Sequence, residues 1–220
     1  MAEEVRAKAE AAMAATGHAI GIASEGAYGP HPAVPFLPFG RELILWRDAA
    51  RGLEIVERMA DEAPAFDRAE VDGPAAAGPF LARIGFPETA VVVAAADCGT
   101  PVAKGLRDRE ALARAIAAAG GRATLSTDMR AHMNPRRMAT IARLAERLAK
   151  RLATPCPGCG APGFGRLRVE AGLPCAVCTA PTAMVAREIH GCAACGAEAA
   201  RPRPDGLAEA DAATCQHCNP

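Results

Sequence analysis

Four Cys-x-x-Cys pairs in the C-terminal part of the chain constrain the fold more than any other feature of the sequence. Two intervening residues let both sulfurs of a tight turn face one ion, and a second pair completes the tetrahedral thiolate shell that Zn²⁺ prefers. Eight ligands with no spare position predict two closed, structural zinc sites rather than redox dithiols or iron–sulfur clusters. The pairs are Cys156/Cys159, Cys175/Cys178, Cys192/Cys195 and Cys215/Cys218.

The spacing of these pairs leaves two ways to combine them. Joining the first pair with the second and the third with the fourth gives two consecutive zinc ribbons. Joining the first with the third and the second with the fourth gives a crossed arrangement. Shorter loops cost less closure entropy, so the consecutive arrangement is favoured.

The chain changes character at Thr154-Pro155. Before this point helical and strand-like segments alternate, which favours a layered α/β fold for residues 1–153. After it come short segments broken by Gly and Pro, and residues 154–220 are predicted to form a small double zinc-ribbon domain. The predicted helices are 2–16, 74–85, 109–119 and 135–151, the last two capped by Asp108 and Asn134, and the predicted strands are 18–23, 42–47, 53–58, 90–95 and 123–128.

Charge and hydropathy exclude several classes of protein. Lys plus Arg equals Asp plus Glu at 25 each, and residues 155–220 hold more acidic than basic side chains before any thiolate is counted. Binding to a phosphate backbone, and hence to nucleic acid, is therefore disfavoured. The longest apolar run, Ala90 to Ala96, is far shorter than the roughly 20 residues of a membrane helix. The acidic start lacks the features of a secretory signal, which predicts a cytoplasmic protein without a membrane partner.

A basic segment in the first domain is a candidate substrate site. Residues 127–137 follow a predicted strand and lead into a helix N-terminus, where free amides and guanidinium groups hold phosphate well. Arg130, His132 and Arg136 are the candidates for phosphate or substrate contact. The alternative is that the basic side chains of this helix only solvate its outer face.

A second loop, predicted after strand 18–23, carries Ser24, Glu25 and His31 among glycines that allow close approach of a ligand. Glu25 is a candidate ligand for Mg²⁺, which takes one or two carboxylates together with substrate phosphates. The alternative is a turn carboxylate that caps neighbouring amides.

Two resemblances add expectations. The segments CPGCGAPGFG, GLPCAVC, EIHGCAACG and ADAATCQHCNP, with ASEGAYGPHPAVPF and TDMRAHMNPRRM, resemble an uncharacterised bacterial domain family over nearly the whole chain. RAKAEAAMAATG followed by AIGIASEG resembles, over about 30 residues, the inosine triphosphatase-like nucleoside triphosphate pyrophosphatases. This second resemblance implies that Lys8 and Glu25 are counterparts of that fold's helix lysine and metal-binding acid, and that Arg130 and His132 are counterparts of its late nucleotide contact. Both families normally begin with a strand and a phosphate loop, so the chain is expected either to start late or to lack its first strand.

Two hypotheses follow from these observations. In the first, the α/β domain is a Mg²⁺-dependent hydrolase of a nucleotide or another phosphorylated small molecule. Glu25 holds the metal, His132 orients substrate or relays a proton, and Lys8, Ser24, His31, Arg130 and Arg136 bind the substrate. In the second, the chain is a non-catalytic zinc-ribbon protein whose α/β domain binds a ligand or a protein partner.

Overall fold

A computed structural model describes residues 1–220 as a mixed helix and sheet protein with four α-helices and three sheets. The helices are α1 (Ala2–Thr16), α2 (Gly78–Ile84), α3 (Arg109–Ala118) and α4 (Pro135–Leu152). The first seven strands are β1 (Ile20–Pro30), β2 (Pro38–Asp48), β3 (Leu53–Asp61), β4 (Arg68–Asp72), β5 (Val91–Ala95), β6 (Pro101–Leu106) and β7 (Arg122–Thr127). The last three are β8 (Gly165–Ala171), β9 (Val185–Gly191) and β10 (Glu198–Pro202).

The chain divides into two compact units, and neither is continuous in sequence. Unit 1 comprises residues 1–8, 23–44 and 57–145. Unit 2 comprises residues 9–22, 45–56 and 146–220. The division between residues 153 and 154, which rests on sequence composition, stays a prediction.

The core of unit 1 lies against one face of a four-stranded sheet with the order β4-β7-β5-β6. Each neighbouring pair in this sheet is antiparallel. Successive side chains of a strand point to opposite faces, and Val91, Val93 and Leu125 share the face that packs against the helical residues Phe80 and Ile116. These five side chains are almost fully buried, so this face and the helices together form the hydrophobic core.

The two predicted helix caps are confirmed. The side chain of Asp108 accepts a hydrogen bond from the backbone N–H of Ala111 at 2.8 Å at the start of α3. Asn134 accepts one from the N–H of Arg137 at 3.1 Å, directly before Pro135 begins α4. Both caps satisfy backbone donors that the first turn of a helix leaves without an intrahelical partner.

The predictions for the region around β1 need correction. Ser24 and Glu25 lie inside β1 and not in a loop after it, because the strand continues to Pro30 alongside β2. The strand is also less buried than its apolar residues suggest, since Ile20 and Ile22 are 48% and 55% exposed. Glycines in β1, which were interpreted as a loop signal, instead allow close packing. A side chain at position 26 would place its Cβ 2.6 Å from a carboxylate oxygen of Glu42.

Unit 2 contains a three-stranded sheet with the order β10-β9-β8, and both of its strand pairs are antiparallel. In the register of β8 and β9, Gly165 lies opposite Gly191. The turn that precedes β8 and the turn that follows β9 are therefore at the same end of the sheet.

Candidate metal centres

Four cysteine sulfurs gather beside this end of the sheet. We call Cys156, Cys159, Cys192 and Cys195 group A. Their Sγ atoms all lie within 4.8 Å of one another. Between the two pairs, the Sγ atoms of Cys156 and Cys195 are 3.8 Å apart, and those of Cys159 and Cys192 are 3.7 Å apart. These are far longer than the roughly 2.0 Å of a disulfide bond, so the four sulfurs surround a common centre without being joined.

A second set has the same geometry. We call Cys175, Cys178, Cys215 and Cys218 group B, and its Sγ atoms are also within 4.8 Å of one another. The sulfurs of Cys175 and Cys218 are 3.9 Å apart, and those of Cys178 and Cys215 are 3.6 Å apart. Both groups therefore offer four soft ligand atoms to a single ion.

All four Cys-x-x-Cys turns share one backbone hydrogen bond, and three of them share a second, from a backbone N–H to the sulfur of the first cysteine. In the first turn, the N–H of Gly158 donates to the sulfur of Cys156 at 3.4 Å, and the N–H of Gly160 donates to the carbonyl of Cys156 at 2.9 Å. The residue four positions after the first cysteine is left-handed in three turns, with φ of 71° at Gly160, 73° at Gly196 and 59° at Thr179. Three of the turns thus point a backbone donor at sulfur, which stabilises the thiolate.

The pKa values of these thiols indicate that each group needs a cation. The backbone N–H of Cys159 lowers the pKa of the Cys156 thiol to about 7. The backbone N–H of Cys178 likewise lowers the pKa of the Cys175 thiol to about 7. In contrast, the neighbouring thiol of Cys178 raises the pKa of Cys218 to about 12. One sulfur of a group ionises readily while another resists, so four adjacent thiolates need a cation among them.

The prediction of consecutive pairing is wrong: the first pair joins the third, and the second joins the fourth. In group A, the pairing of β8 with β9 determines the arrangement by placing the turns before Gly165 and after Gly191 at one end of the sheet. In group B, Cys175 forms a parallel bridge with Ala210, and the N–H of Ala210 donates to the carbonyl of Pro174 at 2.8 Å. Backbone pairing outweighs the modest entropy difference between loops of different length.

The packing around group A is partly apolar. Cys156 and Cys192 are buried and pack with Phe164, whereas Cys159 and Cys195 are exposed. Group B has the same pattern, with Cys175 and Cys215 buried and Cys218 exposed. Each centre therefore has one side against protein and one side near solvent.

A separate cluster of charged residues in unit 1 includes two of the predicted site residues. Lys8 Nζ donates to a carboxylate oxygen of Glu25 at 2.5 Å, and the other oxygen accepts from the N–H of Gly26 at 3.0 Å. Burial raises the pKa of Glu25, but the hydrogen bonds from Lys8 and Gly26 outweigh it and hold the pKa below its ordinary value. Glu25 is thus an ion-paired carboxylate.

Three further members of this cluster were missed by sequence reasoning. The carboxylate of Glu42 has no exposed surface and accepts a hydrogen bond from Arg137 Nε at 2.7 Å. The hydroxyl of Tyr28 donates to the same carboxylate, and the Arg137 guanidinium lies 5.4 Å from the centre of the Tyr28 ring. Burial raises the pKa of Glu42 despite the opposing effect of Arg137. Helical periodicity in the sequence could have identified Arg137, because this residue lies on the same face of α4 as the buried Leu144.

The remaining predicted substrate residues lie elsewhere in unit 1. Arg130 pairs with Asp128 through several hydrogen bonds, the shortest 2.6 Å from Nη2 to Oδ2. Arg136 donates to the carbonyl of Ala63 at 3.2 Å, and His132 is exposed in a short turn before α4.

The side chain of His31 accepts backbone hydrogen bonds at Nδ1, including one from Val34 at 3.1 Å, so it stabilises its own turn. Ser24 is half-buried in β1. The structure therefore brings Lys8 to Glu25, but no hydrogen bond or ion pair joins Glu25 to Arg130, His132 or Arg136.

Comparisons with known proteins identify a family. A family model described as "Domain of unknown function (DUF6671)" matches residues 8–220. No curated protein and no solved structure matches the chain. The resemblance to the inosine triphosphatase-like pyrophosphatases is not shown by these comparisons. Among the helices, none has the length and apolar character that crossing a bilayer requires.

Proposed function

The chain belongs to this family of unknown function, and on that premise we propose that it is a zinc-binding protein in which groups A and B hold one structural Zn²⁺ each. The two ions stabilise a C-terminal zinc module over residues 154–220. Its four turns and the sheet β10-β9-β8 depend on the ions for their packing.

One observation carries this proposal: the sulfur geometry of both groups. Four thiolates at 2.3 Å from a Zn²⁺ ion, at the corners of a tetrahedron, lie about 3.8 Å from one another. The sulfur contacts between the pairs span 3.6 to 3.9 Å. All four corners are taken by sulfur, so no position is left for water or substrate, and a closed shell of this kind supports a structural role.

The charge of the module supports a protein-facing or purely structural role. A tetrathiolate zinc centre carries a net negative charge, which adds to the acidic excess of residues 155–220. The arginines of the sheet are also largely paired; Arg168, for example, donates to both carboxylate oxygens of Glu198, at 2.6 and 2.8 Å. Few cations remain for a phosphate backbone, which argues against nucleic acid as a partner.

Metal analysis of the purified full-length chain tests the proposal. We expect two zinc ions per chain, and we expect a strong chelator to remove them with loss of the dispersed NMR signals of residues 154–220, because binding and folding are coupled in such modules. Re-addition of Zn²⁺ should restore those signals. A chain that is fully folded with no bound metal would contradict the proposal.

A second candidate function concerns unit 1, and one observation favours it. Lys8 and Glu25, which the pyrophosphatase resemblance implies are counterparts of that fold's helix lysine and metal-binding acid, are in direct contact. In this candidate, unit 1 hydrolyses a phosphorylated small molecule with Mg²⁺. The present geometry does not fit a bound Mg²⁺, because both oxygens of Glu25 are already engaged by Lys8 and Gly26. The same neutralised cluster supports the alternative that unit 1 is non-catalytic and binds a ligand or a protein partner.

An assay separates these two functions of unit 1. The zinc-loaded chain is incubated with nucleoside triphosphates and phosphate esters in the presence of Mg²⁺ or Mn²⁺. Hydrolysis that is abolished in Glu25→Gln and retained in Glu62→Gln, a matched change on an exposed carboxylate, supports catalysis. Absence of turnover across the panel supports the non-catalytic alternative.

A further inference from the structure

The second face of the four-stranded sheet in unit 1 carries a pocket that the zinc proposal does not use. The sheet register aligns Arg68, Ser126 and Val92 in one row across β4, β7 and β5. The next row contains Thr124 and Ala94. These side chains point away from the core face and, together with Phe66, line a cavity of about 250 Å³, here called the sheet pocket.

The sheet pocket contains a buried hydroxyl that has no partner. Thr124 is only 5% exposed, and its Oγ1 makes no hydrogen bond in the structure. A polar group that is removed from water without a partner costs free energy, and a ligand or an ordered water that completes its hydrogen bond offsets that cost. Thr124 is one of the residues that line the cavity, so its hydroxyl lies beside the space that a bound molecule would fill.

The only cation in the lining is also uncommitted. The guanidinium of Arg68 makes no ion pair or hydrogen bond within the chain. Its two acidic neighbours along the chain are paired with other arginines: Asp67 with Arg83 at 3.0 Å, and Glu70 with Arg122 at 3.0 Å. The pocket therefore presents one positive charge that nothing in the protein neutralises.

The other lining residues and the volume of the sheet pocket restrict the class of ligand that it can bind. Phe66, Val92 and Ala94 provide apolar walls beside the polar groups. A volume of about 250 Å³ corresponds to on the order of eight water molecules and is smaller than a typical drug-sized site. One guanidinium matches the single charge and planar shape of a carboxylate, whereas a phosphate dianion would be left half-neutralised.

We propose that the sheet pocket binds a small monocarboxylate with a short apolar chain. The carboxylate pairs with Arg68 and accepts a hydrogen bond from the Thr124 or Ser126 hydroxyl, while the chain packs against Phe66 and Val92.

Hexanoate is the probe for this proposal. We titrate it into the ¹⁵N-labelled, zinc-loaded full-length chain and follow backbone amides by NMR. Saturable shifts should concentrate on Arg68, Thr124 and Ser126 and their strand neighbours. Arg68→Gln should weaken hexanoate binding at least tenfold, since a charge-assisted hydrogen bond is lost. Arg114→Gln, an exposed change on α3 beside the opposite face, should leave the affinity unchanged.

Thr124→Val provides an independent readout. It removes the orphan hydroxyl at nearly constant volume, so hexanoate affinity should fall about threefold or more while the unfolding temperature does not fall. Three probes with similar chain or charge complete the test: 1-hexanol, hexylamine and inorganic phosphate should each bind at least tenfold more weakly than hexanoate. Equal binding of hexanol or hexylamine, equal binding of phosphate, or shifts unaffected by Arg68→Gln would each overturn the proposal.

Discussion

At the scale of single residues, Thr179 has a backbone conformation that its β-branched side chain disfavours. It has φ of 59°, and it is the only non-glycine residue with a positive φ. A β-branched side chain is disfavoured in this region, and the equivalent positions of two other turns are occupied by Gly160 and Gly196. The second Cys-x-x-Cys turn therefore adopts the same conformation as these two turns with a steric penalty, because its sequence has Thr instead of Gly at this position.

We predict that Thr179→Gly stabilises the zinc-loaded chain by about 1 kcal/mol, because glycine adopts this conformation without the steric penalty. Chemical denaturation of the zinc-loaded protein measures the change. Thr179→Ala is the matched control: it removes the hydroxyl but keeps a Cβ, so it should give much less than the glycine variant. An equal gain from both substitutions would show that the backbone conformation is not the cause.

The buried pair of Glu42 and Arg137 gives a second residue-scale prediction. Arg137→Met leaves the buried Glu42 carboxylate without its counter-ion and should destabilise the protein by about 3 kcal/mol or more. The pKa of Glu42, already raised by burial, rises further in this variant. A carboxyl whose folded pKa exceeds its unfolded value, near 4.5, stabilises at low pH and loses that contribution as pH rises through the folded pKa. The penalty of Arg137→Met should therefore be larger at pH 8 than at pH 5.

Denaturation at both pH values measures this penalty. The double variant Glu42→Met with Arg137→Met is the control, because it removes both charges and should recover much of the lost stability. A single variant that is as stable as the unmodified chain at pH 8 would contradict the assignment of a buried ion pair.

At the scale of secondary-structure elements, α4 depends on a buried cap. Asn134 is completely buried, its Oδ1 accepts from the N–H of Arg137, and its amide donates to the carbonyl of Ala65 at 3.4 Å. The cap therefore starts the helix and also attaches it to the segment before β4. Arg137 lies in the first turn of the same helix, so the cap helps to place the guanidinium that Glu42 requires.

We predict that Asn134→Ala destabilises the chain by about 2 kcal/mol, the upper part of the range for helix caps, because a tertiary hydrogen bond is lost as well. Asp108→Ala is the comparison, since the cap of α3 is exposed; it should cost about 1 kcal/mol. Thermal or chemical denaturation ranks the two variants. The reverse order would show that the contact with Ala65 contributes nothing.

The elements also show how far sequence reasoning reaches. Capped helices such as α3 and α4 were predicted to within about a residue, because the caps and the first turn are local chemistry. The extent of β1 was not, because its residues 24–30 stay extended by pairing with β2, which lies outside any local window. The same limit applied to the charge cluster: Glu25 was a candidate from its sequence context and Lys8 from a resemblance, whereas Glu42 and Arg137 are 95 positions apart and meet only in the folded chain.

At the scale of the whole molecule, the two cysteine groups alternate along the sequence. The spacing of the cysteines identified all eight candidate ligands, but it did not show how they divide into two groups. Strand register and the bridge from Cys175 to Ala210 determine which turns meet. Loop-closure entropy changes only slowly with loop length, so it cannot override these backbone hydrogen bonds.

Metal counting distinguishes the two partitions. Cys159→Ser with Cys195→Ser removes two ligands of group A, so we expect one zinc ion to remain bound. Cys159→Ser with Cys178→Ser removes one ligand from each group, so both sites should be weakened and the tightly bound metal should fall towards zero. Mass spectrometry under non-denaturing conditions reads the stoichiometry. Consecutive pairing requires the opposite result, with one ion retained by the second variant.

The alternation of the two groups also determines when each group is completed during synthesis on the ribosome. Group A is complete only after translation has passed Cys195, and group B is complete only after translation has passed Cys218. Throughout that interval the emerging polypeptide carries unmatched pairs of thiols. On the proposed zinc function, metal loading is consequently a late event, and the direction of synthesis determines that group A is completed before group B.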